Sequence, residues 1–193
     1  MPEQEIPVRL FVAIEIPNDV RTALGAFIRE LRAIAPQAKW VRAENLHVTL
    51  KFLGETDAGK LGQIENVLRA IHSPEPVTLE FRGLGFFPND KRPRVFWAGM
   101  NASVNLLPLA ESIDRGLHSC GFPFEDRPFT PHLTLARLNP PGLPAHLGAA
   151  AKQHASRNFG YLTAREFHLI ESKLKSTGAE YTTVQSFPFV AER

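Results

Sequence analysis

Apolar and polar positions alternate between two periods along the chain. VRLFVAIEI (8–16) is a dense β-type run, read as a strand buried on at least one face and ended by Pro17. Val20, Leu24, Phe27, Ile28, Leu31 and Ile34 then recur at helical spacing, with Asn18 or Asp19 as cap and Pro36 as terminator. KWV (39–41) is a short extended piece, and LHVTLKFL (46–53) a strand stopped by Gly54. Residues 57–72 carry Leu61, Ile64, Val67, Leu68 and Ile71 on one helical face. VTLEFRGLGFF (77–87) and RVFWAGM (94–100), joined by PNDKRP, predict a hairpin.

The helical period returns over about 104–119, where Pro108 is tolerated only in a first turn. FTPHLTLARL (129–138) is a further strand and 144–154 a short Ala-rich helix. AREFHLIESKL (164–174) and YTTVQSFPFV (181–190) read as a closing strand pair around Ser176-Thr177-Gly178, with Pro188 at an edge or end. The order strand, helix, strand, helix, strands therefore occurs twice. It predicts an α+β protein of two similar lobes, each a small antiparallel sheet with helices on its outer side, packed as one unit over 1–193.

Composition narrows the chemistry. A net charge of +2 excludes a broad basic field, so any nucleic-acid contact is local. One cysteine, Cys120, excludes an internal disulfide and a cysteine-based metal site. The first apolar run is short and interrupted by Arg9 and Glu15, unlike a signal or membrane segment. The expectation is a cytoplasmic monomer with no membrane contact.

Two strands share a motif: His47-Val48-Thr49-Leu50 and His132-Leu133-Thr134-Leu135. Seven histidines and ordinary Thr and Leu frequencies supply about 0.04 such matches per chain, so a chance pair is rare. Alternation along a strand puts each His and Thr on one face and the aliphatic pair on the other. The same parity places Lys51 with His47 but Arg137 opposite His132, unless the second strand ends, twists or bulges first. Trp40, Phe11 and Phe52 are read as core aromatics, with base stacking as the alternative. Arg42, Lys51 and Arg94 are either phosphate contacts or solvated charges.

Imidazoles titrate near neutrality, so one accepts a proton while the other donates one. Two hydroxyls between them suit the non-bridging oxygens of a phosphate. Neither strand has a carboxylate or cysteine beside its histidine, which leaves a metal site unsupported. No GxSxG elbow is present to support a serine nucleophile.

The tandem motif, with RLFVAIEIP, WVRAENLHVTLKFLGE, GFFPNDKRPRVFWAGM, PFTPHLTLAR and FHLIESKLKSTGAEY in that order, resembles the 2H phosphoesterases. The match is nearest their LigT-like branch of RNA 2′,3′-cyclic phosphodiesterases, also called 2′-5′ RNA ligases. The resemblance implies a bilobal fold with the catalytic cleft between the two antiparallel sheets, and cofactor-free, metal-independent opening of a 2′,3′-cyclic phosphate to a 2′-phosphomonoester. RNA ends or nucleotides bearing that group are the implied partners. His47 would be the proton donor, His132 the proton acceptor, and Thr49, Thr134 and Arg137 the phosphate-binding residues. The rivals are 2′-5′ joining by the reverse displacement, and an RNA- or nucleotide-binding module without turnover.

Overall fold

The computed structural model describes residues 7–139, 142, 144–176 and 178–190. The two chain ends of the 1–193 unit, and Thr177 of the expected turn, lie outside the described residues.

β1 (Val8–Glu15) is central in a four-stranded antiparallel sheet ordered β3-β1-β8-β9. That position explains its near-continuous apolar run. Leu10, Val12 and Ile14 enter the main core, while Phe11 and Ala13 form a small second cluster with Ile170 on the opposite face. Its neighbours are β3 (His47–Thr56), β8 (Glu166–Lys175) and, beyond β8, the edge strand β9 (Gly178–Pro188). β9 ends at Pro188, where no further ladder hydrogen bond is lost. β3 runs through Gly54 rather than stopping there, because Gly54 takes a positive φ of 72° that the ladder accommodates.

The second sheet has five antiparallel strands ordered β2-β6-β5-β4-β7: β2 (Lys39–Trp40), β6 (His132–Arg137), β5 (Val95–Ala102), β4 (Val77–Phe87) and β7 (Asn158–Ala164). β7 is absent from the sequence reading. Its segment NFGYLTA buries only Phe159 and Ala164, too weak an alternation to announce a strand.

The sheets are not the two halves of the chain. Each draws strands from both, and the helices cross over as well. α1 (Asn18–Ile34) follows β1 but packs with α4 (Ala145–Gln153) on the five-stranded sheet. α2 (Leu61–Arg69) and α3 (Leu106–His118) pack together on the four-stranded sheet. The 57–72 helical stretch begins as a 3-10 turn, Ala58–Lys60, capped by Asp57. Pro108 is the third residue of α3, where its missing N–H has no intrahelical acceptor. Each helix turns its apolar stripe to a sheet, with Val20, Leu24, Phe27, Ile28 and Leu31 buried from α1 alone. Burying each such side chain is worth about 1.5–3 kcal/mol. Among the described residues, no helix is long and apolar enough to cross a membrane.

Candidate active site

The helix-free faces of the two sheets meet through β3 and β6, the two motif strands. One cleft pocket is lined by His47, Thr49, His132, Thr134 and Arg137 together. Arg9, Phe11, Phe52, Ser172, Leu174 and Tyr181 complete much of the wall.

The two motifs are built alike. Leu50 has no partner in the β1–β3 ladder, where Val12 faces Lys51 and Ala13 faces Thr49. Leu135 has none in the β5–β6 ladder, where Phe96 faces Ala136 and Trp97 faces Thr134. Each is the extra residue of a bulge, and each bulge reverses the side-chain parity that follows. In β6 both Leu135 and Ala136 are buried, and Arg137 rejoins the face of His132. In β3 both Leu50 and Lys51 are buried, and Phe52 emerges into the cleft, 57% exposed.

The expectation that Lys51 shares the His47 face is therefore corrected. The bulge turns it to the helix side, where its ammonium pairs with Asp114 of α3 and donates to Pro123 O at 2.8 Å. Trp40 is core, its indole N–H donating to Ala35 O at 2.9 Å. Phe11 is buried under the His47 ring, with centroids 4.6 Å apart. Arg42 pairs with Glu44 at 3.7 Å.

Each imidazole is held the same way. Nδ1–H of His47 donates to Asn45 O at 2.7 Å, and Nδ1–H of His132 donates to Thr130 O at 2.8 Å. A carbonyl only accepts, so each Nδ1 carries a proton and Nε2 is the nitrogen left for the cleft. Tyr181 stands edge-on to His47 at 5.2 Å, and Phe87 edge-on to His132 at 4.9 Å. The Asn45 side chain also donates to Ala179 O at 2.7 Å, tying the β8–β9 hairpin to the loop that orients His47.

Burial pushes the His47 imidazole from its ordinary 6.5 down to about 4, against the Asn45 hydrogen bond and the Glu15 carboxylate, which both favour the charged ring. The Tyr181 phenol is pushed up by burial, while the guanidiniums of Arg137 and Arg9 pull it back. Among the described residues, no group of three or more His, Cys, Asp or Glu side chains is placed to hold a metal ion.

Sequence reasoning missed Arg9, Tyr181, Ser172 and the anchoring role of Asn45. Arg9 was legible, because alternation in VRLFVAIEI puts it on the Phe11 face. Tyr181 and Ser172 depend on a register between distant strands that no local pattern reveals.

Other histidines stand apart from this pocket. His168 is buried against Ser186, with Nδ1 and Oγ 3.0 Å apart, and His118 stacks on Phe124.

Comparison with known proteins agrees with this architecture. The family model described as LigT like phosphoesterase matches residues 14–97 and 100–181. A protein of Archaeoglobus fulgidus named RNA 2′,3′-cyclic phosphodiesterase is 34% identical over 183 residues, covering 93% of this chain and 99% of its own. The crystal structure of TT0787 of Thermus thermophilus superposes with a TM-score of 0.77 at 31% identity, over 96% of this chain and all of that one (100%). E. coli LigT complexed with 3′-AMP gives 0.73 at 28% identity, over 96% and 99%. The chain belongs to the LigT-like phosphoesterases, enzymes of the 2H class.

Proposed function

We propose that the protein is an RNA 2′,3′-cyclic phosphodiesterase, opening a terminal cyclic phosphate to a 2′-phosphomonoester by two-histidine acid–base chemistry. The observation that carries the reading is the matched pair of imidazoles. They come from different sheets, each is locked through Nδ1 to a backbone carbonyl, and both line one cleft with their threonines. The name of the Archaeoglobus fulgidus relative and the 3′-AMP bound by E. coli LigT support the substrate class.

In this mechanism His132 Nε2 takes a proton from a water as its oxygen attacks phosphorus. The P–O3′ bond breaks, and O3′ takes a proton from His47 Nε2. The products are a 2′-phosphomonoester and a free 3′-hydroxyl, and the two rings exchange protons with solvent to reset. Thr49 and Thr134 donate to the non-bridging oxygens, and Arg137 offsets the charge that grows on them. Phe52, exposed at the cleft, offers a face to the terminal base. No cofactor or metal takes part, and the enzyme works as a cytoplasmic monomer on RNA ends.

The low His47 pKa bears on this assignment. At pH 7 only about one free molecule in a thousand carries the donor proton, given a pKa of about 4. The bound phosphate anion must restore it. The same observation favours a second reading in which the roles are exchanged, with His47 as base.

The test is incubation with adenosine 2′,3′-cyclic phosphate plus a chelator, with the product identified by phosphorus NMR. Turnover to the 2′-phosphate is expected. Loss of turnover with chelator, or binding without turnover, overturns the reading.

A further inference from the structure

We propose that Arg9, Ser172 and Tyr181 form a second anion subsite beside the two-histidine centre, which takes a phosphate on O5′ of the nucleotide whose cyclic phosphate reacts. The inference rests on the cyclic phosphodiesterase reading and adds a substrate feature to it.

Arg9, Phe11 and Ala13 follow one another on the cleft face of β1, and Ala13 pairs with Thr49. Arg9 is thus four residues from the motif level, about 13 Å of strand. Arg137 already serves the reacting phosphate, so a second guanidinium at that remove addresses a different charge. On the other side of β1, Leu10 pairs with Glu171, and Ser172 pairs with Tyr181 across β8 and β9. That register brings Ser172 to the level of Arg9, while the Tyr181 ring stands against Phe11 and His47, and all three residues line the same pocket as both histidines.

Among the described residues, neither Arg9 nor Arg137 has a carboxylate oxygen within 4.0 Å, although Glu55 is the cross-strand neighbour of Arg9. Both guanidiniums favour the ionised Tyr181 phenol, which therefore lies within the field of the two cations. Two cations facing a cleft without carboxylate partners repel each other, and two phosphates relieve that repulsion better than one. The hydroxyls of Ser172 and Tyr181 add donors suited to phosphate oxygens. A nucleic-acid strand carries such a second charge one phosphodiester away. A nucleotide with a 5′-phosphate carries it as a monoester.

The experiment compares kcat/KM for four probes with the full chain. They are adenosine 2′,3′-cyclic phosphate; the same compound with a 5′-phosphate; the dinucleotide ApA ending in a 2′,3′-cyclic phosphate; and that dinucleotide with a neutral methylphosphonate linkage. The dinucleotide is expected to exceed its methylphosphonate analogue by about tenfold or more, the scale of one charge-assisted contact. In Arg9→Gln that ratio is expected to fall below about threefold. A gain confined to the 5′-phosphate compound supports the subsite and identifies a terminal monoester as its ligand. Equal rates for charged and neutral linkages in the wild type, with no gain from the 5′-phosphate, overturn the subsite, as does a ratio that survives Arg9→Gln. Failure to hydrolyse any of the four overturns the cyclic phosphodiesterase reading instead.

Discussion

Leu50 and Leu135 occupy equivalent places in the two motifs, each the unpaired residue of a bulge directly after the motif threonine. The paired bulges make the cleft asymmetric. After the first, Lys51 turns inward and Phe52 outward; after the second, Ala136 turns inward and Arg137 outward. One wall thus offers an aromatic face and the other a guanidinium where the strands are otherwise alike. A nucleotide, with a flat base at one end and an anion at the other, matches that polarity.

Phe52→Ala is expected to raise KM for adenosine 2′,3′-cyclic phosphate about tenfold with kcat little altered. The loss is the roughly 1–3 kcal/mol of one base stack. Steady-state kinetics check it, and an unchanged KM would remove Phe52 from the base site.

The inward turn of Lys51 has an energetic signature. The Lys51 side chain is 2% exposed and that of Asp114 only partly covered. Lys51→Met leaves a carboxylate without its cation and is expected to cost about 2–4 kcal/mol by urea unfolding, somewhat below a fully buried pair. A double-mutant cycle with Asp114→Asn should show coupling above about 0.5 kcal/mol. Independent effects would mean that the two charges do not act as a pair.

His47 links stability to pH. Its folded pKa of about 4 lies below the ordinary 6.5, so the unfolded chain binds more protons between those values. Stability therefore rises with pH through that window, is full above about 6.5, and is lost as pH falls toward 4. The wild type is expected to lose on the order of 2–3 kcal/mol more than His47→Gln over this range, after a discount for partial exposure. Parallel urea curves for the two proteins at pH 4.5 and 7 would contradict the buried neutral ring.

Gly85 tests the floor under His132. A Cβ there would stand 2.2, 2.4 and 2.8 Å from three atoms of the Trp97 ring, which also packs against Phe87 at 5.1 Å. Phe87 in turn supports His132 edge-on. Gly85→Ala must displace an aromatic ring and is expected to cost about 1–3 kcal/mol and to lower kcat. Unchanged melting and turnover would show that Trp97 is free to move.

Much of this was legible in the sequence. The 77–87 strand, the α1 stripe and the repeated motif all follow from local periodicity, and the matched strands set five candidate residues in one cleft. What failed was non-local. Nothing in HVTLKF or HLTLAR announces a bulge, because a bulge is a property of a ladder and not of one strand. Strict alternation therefore misplaced Lys51 and left Arg137 conditional. The exchange of strands between halves escaped for the same reason: β1 looks equally able to pair within either half until β8 is seen beside it.

The central claim is that two imidazoles do different work on opposite sides of one phosphorus. A phosphodiester with a p-nitrophenolate leaving group needs no proton donor, so the measurement is kcat/KM for that ester and for a 2′,3′-cyclic phosphate in His47→Ala and His132→Ala. Both variants are expected to lose about 10² to 10⁴ on the cyclic phosphate. On the aryl ester His47→Ala should recover to within about tenfold of wild type while His132→Ala stays impaired. Recovery by His132→Ala alone would exchange the two roles, and equal behaviour of the variants on both substrates would contradict the account.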